Sequence, residues 1–99
     1  MARFEVYVSP SGSGYLLDVQ ADVLDSLNTR IVVPLLPVSQ APVPAKRLNP
    51  VFDIGSEPHV MVTQFMAAVP RALLRSPLTS LADQDSHIMA ALDIALVGF

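Results

Sequence analysis

The residues able to do acid–base, nucleophilic or metal chemistry are few and poorly placed for it. His59 and His87 are the two imidazoles, and neither stands at ligand spacing from a second histidine, a cysteine or a close carboxylate, so no metal site is expected. Asp85-Ser86-His87 contains the three residue types of a nucleophilic triad. Consecutive positions on a helix project about 100° apart, so these three cannot pass a proton among themselves, and a solvated first helical turn accounts for them. The chain has neither a glycine-rich phosphate cradle nor a nucleophile elbow. Catalysis has no visible seat, no cofactor is called for, and the remaining candidates are recognition surfaces. One is Asp18-Val19-Gln20-Ala21-Asp22-Val23-Leu24-Asp25, which mixes acids with aliphatics at a strand end and, taken alone, reads as a capped turn. The other is Asp93, a carboxylate inside an apolar run, which must reach solvent at a rim or be paired.

The elements that would carry these residues are short. Arg3 to Val8 alternates, with Phe4, Val6 and Val8 on one face and Arg3, Glu5 and Tyr7 on the other, and predicts a half-buried strand. Ser9 to Gly14 is a turn, and Tyr15 to Gln20 returns as the second arm of a hairpin. Ala21 to Asn28 is an irregular or single helical turn. Thr29 to Val33 is a buried strand, with Pro34 predicting an edge or bend. From Pro37 to Pro50 the prolines 37, 42, 44 and 50 exclude a helix and a central strand. Val51 to Ile54 and His59 to Phe65 form a second hairpin around a turn at Gly55 to Pro58, and Met66 to Arg75 is an apolar piece broken by Pro70. Ser80 and Asp83 have the spacing of a capping box that would open a helix. From Ile88 onward Asp93 is the only charge and apolar side chains surround the axis, so the helix is expected to be covered on more than one side. The predicted fold is one domain over residues 1–99, mainly β with one C-terminal helix, as a small antiparallel barrel or curled sheet.

Composition narrows the function classes. Of 99 residues 52% are hydrophobic and 15% charged, against a usual charged share of about 25%, and the excess suggests an interface. Ile88, Ala91, Leu92, Ile94, Ala95 and Leu96 are the expected contacts with a second copy of the chain. The six basic residues, Arg3, Arg30, Lys46, Arg47, Arg71 and Arg75, are scattered and the net charge is −3, which is not a nucleic-acid-binding profile. The apolar run is well short of the roughly 20 residues that span a bilayer. With no cysteine and no secretory segment at the N-terminus, a cytoplasmic protein is expected.

The whole chain also resembles a known family. Phe4-Glu5-Val6-Tyr7, the run Asp18 to Asp25, Arg30-Ile31-Val32-Val33-Pro34-Leu35, Pro50 to Gly55, Met66 to Pro70 and the terminal Gly98-Phe99 are similar, in the same order, to the CcdB toxins of toxin–antitoxin modules. The resemblance implies a fold shared with the messenger-RNA-cleaving MazF and Kid toxins. It implies a homodimeric, non-enzymatic toxin of a plasmid-maintenance type, which poisons DNA gyrase by binding its A subunit and trapping cleaved DNA, and which a labile CcdA-like antitoxin neutralises. It assigns gyrase contacts to Val23, Leu24, Asp25, Asp85, Met89, Asp93, Val97, Gly98 and Phe99. Two positions depart from the family pattern: Val97-Gly98-Phe99 stands where Trp-Gly-Ile is usual, and Asp93 stands for an asparagine. A ribonuclease of the related fold and a non-toxic antitoxin-binding homologue are the alternative readings, the first disfavoured by the scattered charge.

Overall fold

The computed structural model describes residues 2–99. Seven antiparallel strands, β1 Glu5–Val8, β2 Tyr15–Asp18, β3 Thr29–Pro37, β4 Val51–Ile54, β5 Glu57–Met61, β6 Ala67–Pro70 and β7 Thr79–Ser80, precede one helix, α1 Asp85–Leu96. The sheet runs β4-β5-β3-β2-β1-β7, with β6 pairing β3 off this path. It curls over α1, whose Ile88, Ala91 and Leu92 close the main core with Val6, Leu17, Val33, Leu35, Phe52 and Met61. The expected class, mainly β with a single C-terminal helix, is the one observed.

Both hairpins form, with adjusted limits. In the first, Val6 pairs Leu17 and Val8 pairs Tyr15, but the strand begins at Glu5 because Phe4 has a positive φ of 71°. This twist lets the Phe4 N–H reach the Asp18 carbonyl while its own carbonyl accepts from Leu81. The second hairpin is tighter than predicted. Gly55 and Ser56, with φ of 60° and 70°, make a two-residue turn of the kind whose twist matches flanking strands, so Glu57 and Pro58 lie in β5 and Thr63–Phe65 is a 3-10 turn beyond it.

Two expectations about coverage are corrected. Tyr7 is buried and Val8 is 60% exposed, the reverse of the simple alternation. A second small cluster of Tyr7, Val32 and Leu74, with Leu16 and Val69 against it, covers the outer face of the sheet, because the chain after β6 folds back across it. Pro34 marks neither an edge nor the end of its strand: β3 runs through it to Pro37. An extended residue directs its N–H and C=O to the same side, and the Pro34 carbonyl accepts from Val62. Its missing N–H therefore falls on the side where the neighbour of β3 changes from β6 to β5, and no ladder bond is lost.

The helix also starts later than the capping-box spacing predicts. Ser80 is drawn into β7 opposite Glu5, a 3-10 turn occupies Ala82–Gln84, and α1 opens at Asp85 with no side-chain cap. The Ser80 hydroxyl accepts from the Ala82 N–H at 3.2 Å, a local bond two residues on that caps neither the 3-10 turn nor the helix. The proline-rich stretch holds a 3-10 turn at Val38–Gln40 and is then anchored by buried Asn49. The Asn49 Oδ1 accepts from the Ala45 N–H at 3.0 Å, and its Nδ2 donates to the Met61 carbonyl at 3.0 Å and the Gln64 Oε1 at 2.7 Å.

Candidate functional site

The turn between β2 and β3 is built almost entirely by its polar residues. Asp18 ends β2 in full burial, opposite Val32 and diagonal to Arg30 of β3, which is 0% exposed. Arg30 Nε donates to Asp18 Oδ2 at 2.8 Å, and Nη1 donates to Asp25 Oδ1 at 3.1 Å. Nη2 lies 2.6 Å from Asp18 Oδ2 as an ion-pair contact, in a direction that gives it no hydrogen-bond acceptor among the described residues. Gln20 bridges the turn, accepting from the Ile31 N–H and donating to the Leu24 carbonyl. Asp22 accepts from the Arg3 N–H, the Arg3 Nε donates to the Val19 carbonyl, and the Arg71 guanidinium donates to the Asp25 carbonyl.

Every polar side chain of the run thus holds backbone or balances the buried guanidinium. Beside the exposed Asp22 and the half-exposed Asp25 carboxylates, two aliphatic side chains face water: Val23 is 88% exposed and Leu24 41%. The capped-turn reading is what the structure shows, and its product is a rigid display of two apolar side chains. The same buried neighbourhood perturbs two protons. Burial pushes the Asp18 carboxyl above its ordinary value, opposed by the Arg30 hydrogen bond, the Gln20 N–H and the Arg30 charge. The Tyr7 phenol is pushed up to about 12, first by burial and then by its hydrogen bond to the Glu5 carboxylate.

The second group lies along α1. Asp85, Met89, Asp93 and Val97 recur every fourth residue and so follow one flank of the helix. Asp85 and Asp93 are exposed, while Met89 is half-buried against the core. The helix ends where Gly98, at φ 92°, turns the chain in the left-handed conformation that glycine adopts without a side-chain clash. Its N–H and that of Val97 both return to the Asp93 carbonyl. Beyond this bond Val97 and Phe99 stand in solvent, 59% and 80% exposed. Asp93 therefore reaches water at a rim, one of the two alternatives the sequence left open.

Within the chain the two groups stay on separate elements. Beyond the sheet, α1 packs mainly on the turns 63–65 and 82–84, and the 22–25 turn is not among its principal neighbours. Of the six residues expected at a dimer contact, Ile88, Ala91 and Leu92 are taken up by the chain's own core. Ile94, Ala95 and Leu96 instead line a shallow groove of about 430 Å³ with Leu48, Thr63, Gln64 and Met66. The expectation of cover on more than one side is met by the chain itself on one side only. Sequence reasoning named Arg30, Gln20 and Tyr7 only as members of their segments and missed the buried roles they play. A lone arginine inside a β-branched run was the available signal for the first, since a charge there has to meet a carboxylate.

The profile of the CcdB protein family matches residues 3–98. The chain belongs to the CcdB family. Among solved structures, the Mycobacterium tuberculosis toxin MazF-mt6 superposes with a TM-score of 0.76 at 16% identity, covering 94% of this chain and 96% of that one, which shows a shared fold. Membership in the CcdB family points to a toxin of a toxin–antitoxin system. Among the described residues no helix is long and apolar enough to cross a membrane.

Proposed function

We propose that this chain is the homodimeric toxin of a toxin–antitoxin pair, that it acts by binding the A subunit of DNA gyrase and trapping the cleaved DNA complex, and that a CcdA-like antitoxin neutralises it in the cytoplasm. The observation that carries the reading, beside family membership, is the exposure of the matched contact positions. Val23 and Leu24 stand out from a turn whose polar side chains are each held by a hydrogen bond, and Val97 and Phe99 stand out past the end of α1. Side chains of this kind exposed at fixed positions suit recognition of another macromolecule. A second copy would use the groove at Ile94, Ala95 and Leu96, and pairing two copies is a way to bring turn and helix surfaces of different protomers into one contact area. The antitoxin would contribute a segment that is disordered when free and orders on this apolar surface.

A ribonuclease of the related fold would need an exposed cation beside an acid or base able to reach a phosphate. The closest arginine–carboxylate cluster in this chain, Arg30 with Asp18 and Asp25, has its guanidinium sealed from solvent, which favours the binding reading. The deciding experiment runs purified chain against gyrase in a DNA cleavage and supercoiling assay, beside cleavage of a long RNA. Stabilised gyrase–DNA cleavage with intact RNA is expected; RNA cleavage without any gyrase effect would replace the proposal with the nuclease.

A further inference from the structure

The sheet has two ends in its pairing order, β4 and β7, and both open onto the same cleft. Its volume is about 640 Å³, with residues 51–55 on one wall, 78–81 on the other, and Asp83 and Gln84 at one end. Core side chains of Phe52, Ile54 and Leu81 lie behind it, whereas Val51 and Leu78 stand exposed at its rim. The curled sheet therefore stops short of closure, and the seam is a slot between two strand edges.

The backbone of β4 is set to accept a further strand there. A two-residue hairpin makes its first flanking pair, Ile54 and Glu57, the hydrogen-bonded one. At the other end of β4 the Pro50 carbonyl accepts from Met61 of β5. Alternation along the strand then turns the N–H and C=O of Val51 and Asp53 away from β5, toward the slot. Across it, β7 stays paired with β1, Thr79 opposite Val6 and Ser80 opposite Glu5; the Leu81 N–H bonds the Phe4 carbonyl, so alternation turns Thr79 to β1 as well and leaves exposed Ser80 as the residue whose backbone faces the slot. The charge of the slot is one-signed. Asp53 lies on one wall and Asp83 at one end; both are exposed, neither makes an ion pair or side-chain hydrogen bond among the described residues, and no cation lines the cleft.

We infer that the β4–β7 seam is a docking slot for an extended, basic peptide segment of a partner protein, which would pair with the β4 edge as an added strand and meet Asp53 and Asp83 with lysine or arginine. Strand addition supplies affinity through main-chain hydrogen bonds, and the two carboxylates supply the charge preference. The slot shares no residue with the turn at 22–25 or with the gyrase positions of α1, though Gln84 at its end adjoins Asp85, and the inference does not rest on the gyrase reading.

The test uses the full chain, labelled with nitrogen-15, and three synthetic six-residue peptides: alternating lysine and valine, alternating glutamate and valine, and the lysine peptide with methylated backbone nitrogens. The lysine peptide is expected to shift the amides of Val51, Asp53 and Ser80, the methylated one to lose this effect, and the glutamate one to leave the spectrum unchanged. Asp53→Lys with Asp83→Lys should weaken the lysine peptide about tenfold, and Asp53→Lys alone should leave gyrase poisoning as it was. Asp83→Lys alone, a few-fold weaker, carries the same test should the double variant fold poorly. Shifts confined to residues 94–99, equal binding of the glutamate peptide, self-association of the chain through β4, or an unmoved spectrum at millimolar lysine peptide would each overturn the inference.

Discussion

The turn at 18–25 and the end of α1 both present apolar side chains to water, yet they hold them in opposite ways. Behind Val23 and Leu24 stand a fully buried ion pair, a bridging glutamine and contacts from Arg3 and Arg71. Behind Val97 and Phe99 stands one carbonyl, that of Asp93, receiving two N–H groups. The first display rests on a buried ion pair that cannot lose one partner without a large cost in stability. The second rests on two hydrogen bonds at a helix end, and folding is expected to depend on it little. If both meet the same partner, one contributes a preorganised surface with little ordering cost, and the other a segment that orders on contact.

The largest expected effect lies beneath the turn. Asp18→Ala leaves the Arg30 guanidinium buried without its main counter-charge and should cost about 3–5 kcal/mol of unfolding free energy, measured by urea titration. Replacing both partners by apolar residues, Asp18→Leu with Arg30→Met, should recover most of that loss, because an ion pair removed whole leaves no stranded charge. A single mutant within about 1 kcal/mol of the parent would mean that the turn is no better supported than the terminus.

Alkaline titration probes the same buried neighbourhood without a mutation. The folded-state value of Tyr7, about 12, lies above its ordinary 10.0, so the native state holds the phenolic proton more tightly than the unfolded chain. Its contribution is complete below pH 10 and is lost as the pH rises through 12. The loss should be about 2–3 kcal/mol over that window, and Tyr7→Phe should flatten the stability curve there. The end of α1 carries no group that titrates in this range.

One turn of helix then separates packing from assembly. Ala91 is completely buried, and Ala91→Glu should prevent folding because a lone charge has no partner there. Ile94→Lys, on the groove at the helix end, should leave thermal unfolding of the protomer within about 0.5 kcal/mol and shift sedimentation from dimer toward monomer. A cooperative loss of structure in Ile94→Lys would place that residue in the core instead. The smallest stability effect belongs to removal of Val97-Gly98-Phe99: a change below about 4 °C in melting temperature, with gyrase poisoning abolished. Val97→Trp should act in the other direction, strengthening gyrase binding by about 0.5–2 kcal/mol through an arginine stacked on the indole. A truncated chain that still poisons gyrase would remove the terminus from the site and leave the turn as its only exposed apolar display.

The sequence by itself determined what rests on neighbours along the chain. The two hairpins follow from apolar alternation flanked by glycine, serine and proline, the absence of a long helix or strand from Val38 to Pro50 follows from its prolines, and the terminal helix follows from an apolar run interrupted only by Asp93. The family could be read too, because its similarity is spread along the whole chain. What only the tertiary structure decided depends on groups brought together from a distance. Arg30 is buried because the chain returns it to Asp18, twelve positions earlier, and Tyr7 is covered because Leu74 crosses the outer face of the sheet. Pro34 is tolerated inside a strand because the neighbour changes beside it, and Ser80 is lost to the capping box because Glu5 claims it for a strand pair. The far side of α1 stays open for a similar reason: a core built from one short curled sheet has only enough inward surface to cover one face of a helix, and no local pattern says which face that will be.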